Sequence, residues 1–197
     1  MNDMILILNY SDEFAVEAAR RLRGEQVFCK IISGMTTAAQ IAQAAPRGIV
    51  LCGEPQSAAG VFDAEILKLG IPVLALGHAA HMLITAMGGA CAGTAISNRK
   101  ASVQYAECRL FSGVEAGERY IQEAMTLMLP ADVQVTAGAG GCTIAFADDR
   151  RSLLAFNLNW SATIRMARPF SRILRATSAD ACHGSPWTLR WPRRGVC

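Results

Sequence analysis

The sequence predicts an α/β fold, a mainly parallel sheet flanked by helices with an antiparallel extension. Three observations carry that prediction. Continuous apolar runs alternate with amphipathic segments through the first part of the chain, the pattern of strands covered on both faces by helices. An apolar run at residues 73–76 reaches Gly77 and passes at once into an apolar-periodic segment at 79–87, which ends on Gly88 and Gly89. That order reads as strand, sharp turn, helix and cap. Beyond Gly89 the apolar runs become short and closely spaced between turn residues, which suits antiparallel strands.

The elements follow in order. Residues 4–9, MILILN, form an apolar run suited to a strand buried on both faces. Ser11 then caps a helix over 12–23, with acids in its first turn and arginines in its last, as the helix dipole prefers, and Gly24 stops it. Residues 27–32 read as a second strand, 37–44 as a second helix, and 48–52 as a third strand leading into Gly53, Glu54 and Pro55. A short helix at 63–69 precedes the strand at 73–76. Residues 103–110 alternate apolar and polar as a strand with one wet face would, whereas 117–129 fits either a helix or a strand plus turn. Short strands follow at 133–136, 143–147 and 153–158. The glycine-rich 138–141 reads as a plain turn and not a phosphate cradle, because no helix-forming segment follows it.

From residue 164 periodicity is lost, so the chain divides into a domain over 1–163 and an irregular Arg- and Trp-rich tail over 164–197. The formal charge of +3 conceals an imbalance: the tail holds seven arginines and one acid, Asp180, leaving the first 163 residues net negative. A basic surface is therefore confined to the tail, where Trp187 and Trp191 show no amphipathic period, and nucleic acid is not an expected partner. No apolar run approaches the ~20 residues that span a bilayer, and residues 1–10 lack a basic start and a cleavage site. These features predict a cytoplasmic protein with no membrane partner. The seven cysteines are scattered without a CxxC pair and are expected as buried free thiols.

In α/β proteins a turn at the carboxyl end of a strand is where nucleophiles are displayed and anions are held. The site is therefore expected at residues 71–89, yet Gly77 and His78 supply no nucleophilic side chain. His78 and His81 fall on one face at the start of the helix, as two metal ligands would, with Cys52 and Glu54 on the adjacent strand end. They are expected as residual polar groups of a site, with no metal and no cofactor. Cys52 is the alternative nucleophile of a rewired hydrolase.

Several strings resemble the class I glutamine amidotransferases, most closely their GMP-synthase-type glutaminase domains. ILILNYSDEFAVEAARRLR resembles the opening strand and helix, APRGIVLCGEP the strand that normally ends in Ser-Gly-Gly-Pro, and GIPVLALGHAAHMLITAMGG the nucleophile elbow. LPADVQVTAGAGGCTIAFADD and SLLAFNLNWS resemble the closing strands. The likeness covers residues 4–163 and implies a flavodoxin-like sheet and a role in GMP formation. The implied reaction needs a cysteine, a histidine and a glutamate, but the matching positions hold Gly77, Asn159 and Ser161. The family's second oxyanion glycine is matched by Glu54, its elbow glutamine by His81, and its substrate loop by residues 121–124. Gly53, Glu54, His78 and His81 are thus vestigial substrate-binding positions. The resemblance implies a degenerate glutaminase, whose partners would be glutamine and a separate ATP-pyrophosphatase subunit. The alternative is a non-enzymatic docking or regulatory protein.

The tail supplies a second pointer. Read back by one base after Thr163, residues 164–174 become compatible with DPNGPAILENF, the string expected where such a glutaminase domain ends. Residues 177–181 likewise become compatible with DICGC. The tail is therefore expected to be a frameshifted read.

Overall fold

The computed structural model describes residues 4–10, 12–24, 26–53, 62–106, 116–148 and 150–156; at 94, 95, 97, 98, 119, 120 and 122–125 only the backbone is described. The apolar runs become β1 (Ile5–Asn9), β2 (Cys29–Ser33), β3 (Gly48–Gly53) and β4 (Val73–Gly77). Between them lie α1 (Asp12–Gly24), α2 (Ala38–Ala44) and a 3₁₀ turn (Ala64–Lys68), and α3 (His78–Ala86) follows β4 without a break. The chain then forms β5 (Ala90–Tyr105), β6 (Gly117–Met128), β7 (Gln134–Ala139), β8 (Cys142–Asp148) and β9 (Leu153–Phe156). These make one nine-stranded sheet of order β2-β1-β3-β4-β9-β8-β7-β5-β6. The pairs from β2 across to β9 are parallel, and those from β9 to β6 antiparallel.

Alternation along the parallel strands sorts their side chains onto two faces. Ile5, Ile7, Val50, Cys52, Leu74 and Leu76 pack with Phe14, Ala15, Ala18 and Leu22 of α1. Leu6, Leu8, Ile49, Leu51, Val73 and Ala75 pack on the other face with Ile41 of α2 and Ala80, Leu83 and Ile84 of α3. The centres of β1, β3 and β4 are buried on both sides, which is why they read as unbroken apolar runs, whereas the edge strand β2 is partly exposed. Thr37 caps α2 through a reciprocal box with Gln40. Asp63 caps the 3₁₀ turn through Glu65 N at 3.0 Å and also accepts from Ala38 N at 2.8 Å, so one carboxylate ties two helix starts together.

The antiparallel half departs from the sequence reading in three places. The strand expected at 103–110 begins at Ala90, because register shifts around Thr94 interrupt the period-2 pattern that would reveal it. The ambiguous 117–129 is strand, with residues 121–124 inside β6. The turn expected at 138–141 shrinks to Gly140 and Gly141, since β7 runs through Ala139 and β8 starts at Cys142. In the parallel half, the second strand starts at Cys29, two residues late, and the helix expected at 63–69 is a 3₁₀ turn. Ser11, residues 107–110, the end of the last expected strand and the whole tail lie outside the described residues. Among the described residues no helix is long and apolar enough to cross a membrane.

Candidate functional site

The carboxyl ends of β3 and β4 meet under the first turn of α3. Gly53 pairs with Gly77 in register, and Phe156, the last described residue of β9, pairs with Leu76 on the other side of β4. Three parallel strand ends therefore converge on the elbow. β9 is described as far as Phe156, level with Leu76; Asn159, Ser161 and Glu54 lie outside the described residues.

Gly77 has φ 62° and ψ −129°, a left-handed, sparsely populated conformation that strains any residue with a Cβ. Strand-to-helix nucleophile elbows are strained in this manner, since the sharp turn is what lifts a side chain clear of the sheet. Here the turn is kept and the side chain is absent. Gly77 is also the N-cap of α3 and makes no side-chain cap hydrogen bond. Gly53 is required for a different reason. A Cβ there would stand 3.0 Å from the backbone N of Ala79, so glycine lets the end of β3 approach the start of α3.

The two histidines do come together. Their Nδ1 atoms are 3.1 Å apart, with the rings at 81° and their centroids 5.0 Å apart. A hydrogen bond of that kind needs one Nδ1 to donate and the other to accept, so the pair shares one proton between two imidazoles. His81 is buried and His78 half-buried. The backbone oxygen of His81 accepts from Thr85 Oγ1 at 2.9 Å and from the Cys91 thiol at 3.9 Å.

Cys52 does not join this group. Alternation along β3 turns its side chain to the α1 face, among Ile7, Phe14 and Leu76, while α3 packs against the opposite face. It is fully buried, and burial pushes its thiol well above the ordinary value, which opposes the thiolate a nucleophile needs. The structure thus overturns the reading of Cys52 as a relocated nucleophile. Cys29 and Cys142 are likewise buried free thiols, and Cys91 is half-buried. Among the described residues no group of three His, Cys, Asp or Glu is placed to hold a metal ion.

Tyr10 is the polar residue at this end of the sheet that sequence reasoning missed. It follows β1, its backbone N donates to Cys52 O at 2.9 Å, and its hydroxyl is buried without a hydrogen-bond partner. Burial, helped by the nearby Asp63 carboxylate, raises its pKa to about 12. No sequence signal marked it, because a tyrosine after a strand is commonplace.

No protein-family model matches the chain. Among curated proteins, it is 40% identical over 91 residues to the glutamine-hydrolysing GMP synthase of Synechococcus sp., covering 44% of this chain and 17% of that protein. It is 27% identical over 198 residues to the enzyme of the same name from Lactobacillus delbrueckii subsp. bulgaricus, covering 95% of this chain and 38% of the relative. The chain thus spans well under half the length of these curated relatives. Among solved structures, it superposes on a protein from Thermoplasma acidophilum, described as a GMP synthase subunit, with a TM-score of 0.75 at 17% identity, covering 89% of this chain and 94% of that one. A glutamine amidotransferase from Thermotoga maritima follows with a TM-score of 0.59 at 12% identity, covering 91% and 87%. The chain is therefore homologous to part of the GMP synthases and has the fold of the glutamine amidotransferases.

Proposed function

From homology to the GMP synthases, we propose that this chain is a degenerate glutaminase domain of purine nucleotide synthesis that no longer hydrolyses glutamine. The observation that carries the reading is Gly77: the backbone holds the strained turn of a nucleophile elbow, at φ 62° and ψ −129°, with no side chain to attack an amide. Asn159 and Ser161 stand where the resemblance expects the base and its orienting carboxylate. Neither supplies a proton acceptor of suitable strength at neutral pH. Losing any one member of such a unit costs several powers of ten in rate, and losing all of them leaves only binding and oxyanion contacts. The test is ammonia release from glutamine by the purified full chain, alone and with an added ATP-pyrophosphatase. The reading expects none, and sustained turnover in either condition overturns it.

A second reading has its own support. The Thermoplasma protein is described as part of a synthase, and this chain covers 94% of it. On that basis the domain docks on a separate synthetase and acts without chemistry, as a cytoplasmic partner protein. Co-purification with an ATP-pyrophosphatase supports this reading, and a chain that elutes alone from an equimolar mixture contradicts it. For the tail we propose an out-of-frame read of residues 164–197. The Lactobacillus alignment covers 95% of the chain and so enters the tail in the present frame, which counts against this proposal. The nucleotide sequence decides it: codons that fail to spell DPNGPAILENF one base back end the proposal.

A further inference from the structure

The sheet has two edge strands, and they differ. β2 closes the parallel half with five residues and carries the exposed Lys30; a short edge with a lysine on it is poorly suited to accept another strand. β6 closes the antiparallel half with twelve residues, none of them proline or lysine. Among the described residues, β5 is the one strand that pairs with it. The register shifts of that pair put the extra residues on β5, at Ala92–Thr94 and Thr94–Ile96, so β6 itself runs without a bulge. Fully buried Ile121 anchors the middle of β6 in the core. A long, regular edge held to a rigid core is a template for strand addition.

We propose that β6 pairs with β6 of a second copy of this chain, antiparallel, across a twofold axis centred on Ile121. The charges along the strand select both the partner and the register. A twofold axis normal to the sheet keeps each residue on its own face, so the axis must pass at a residue and not between two. Centred on Ile121, the pairing overlaps residues 117–125 of both copies. Arg119 of each copy then stands opposite Glu123 of the other, and Tyr120 opposite Gln122. Centring on Tyr120 or Gln122 leaves no charge opposite a charge. Centring on Arg119 sets arginine against arginine, and centring on Glu123 sets glutamate against glutamate. Opposite charges directly across a strand pair stabilise it, and like charges destabilise it. Of the five registers centred within 119–123, the one at Ile121 therefore matches charge, and symmetry makes it do so twice. The pairing rests on the sheet edge and is independent of the glutaminase reading.

The full-length protein is followed by sedimentation velocity through a dilution series. The expected result is a reversible monomer–dimer equilibrium. Arg119→Glu and Glu123→Arg each set like charges opposite one another twice per dimer, and each is expected to weaken dimerisation about thirtyfold. The double variant, Arg119→Glu with Glu123→Arg, exchanges the two charges and is expected to return to near the parent affinity, which separates a register effect from damage to the fold. A monomer throughout the series, the outcome if another segment of the same chain covers β6, overturns the proposal. A dimer that both single variants leave unchanged, or that the double variant fails to restore, overturns it as well.

Discussion

The two ends of the sheet have been treated differently. At the carboxyl end of the parallel strands, Gly53 and Gly77 lie side by side beneath α3, and the described side chains at this end include two histidines, Tyr10 and aliphatic groups. At the opposite end, the hairpin between β8 and β9 holds a dense ionic cluster. Buried Asp148 accepts from the backbone N of Arg150 at 3.0 Å and of Arg151 at 3.3 Å, and pairs with the Arg151 guanidinium, which also reaches Asp132 at 3.4 Å. The hairpin is locked to the parallel half by Val73 N donating to Ser152 O at 3.0 Å. One end keeps an interaction network whose value is stability. The other holds a strand-to-helix turn on two glycines. The difference teaches that a fold is held by unlike means at its two ends: charge pairing fixes the hairpin, whereas close backbone packing of β3, β4 and α3, with glycine at 53 and 77, fixes the turn.

The sharpest way to break this contrast is at the ionic end. Asp148→Ala leaves two backbone amides and a guanidinium without their acceptor and is expected to cost about 3 kcal/mol, read as a lower urea midpoint at unchanged slope. A cost below about 1 kcal/mol would mean the hairpin is not the stabilising end. At the elbow, Gly77→Ala forces a Cβ into the left-handed region and is expected to cost about 2 kcal/mol; no loss of stability in the same melt would show that the turn is not held as described. Gly53→Ala is expected to cost about 1 kcal/mol, because its Cβ meets the Ala79 backbone at 3.0 Å and α3 must shift.

A smaller effect appears in alkali. The Tyr10 pKa is raised from 10.0 to about 12, so its contribution is fully present below pH 10 and is lost as pH rises through about 12. Stability should therefore fall across that window by more in the parent than in Tyr10→Phe. Parallel curves for the two proteins would show that the Tyr10 hydroxyl is not buried as described. The smallest perturbation is chemical labelling of native protein at neutral pH. Half-buried Cys91 should react well before Cys52, and early modification of Cys52 would contradict its placement on the α1 face.

Legibility in the sequence follows the same division. The parallel half was readable because strands buried on both faces are unbroken apolar runs, and because Thr37, Gly77 and Gly88 punctuate the helices where caps and turns require them. The long β5 was not. Its register shifts around Thr94 destroy the alternation on which strand recognition depends, and its pairing with β6 is a long-range contact that local pattern does not encode. The strand passing straight into a helix at Gly77 was legible, because an apolar run, a glycine and an apolar-periodic segment follow one another without a break. The arrangement within it was not: the 3.1 Å meeting of His78 and His81 depends on rotamers, and the isolation of Cys52 depends on which face of β3 carries α1.

An elbow that keeps its turn and has no nucleophile is tested most directly by a glutamine-shaped electrophile that alkylates the attacking group of a glutaminase. The native full-length protein is incubated with the reagent with and without excess glutamine, and the mass and site of any adduct are read by mass spectrometry. An empty elbow predicts no adduct that glutamine protects against. A single stoichiometric adduct that glutamine suppresses, on Cys52 or any other residue, would show that a working nucleophile survives and would contradict it.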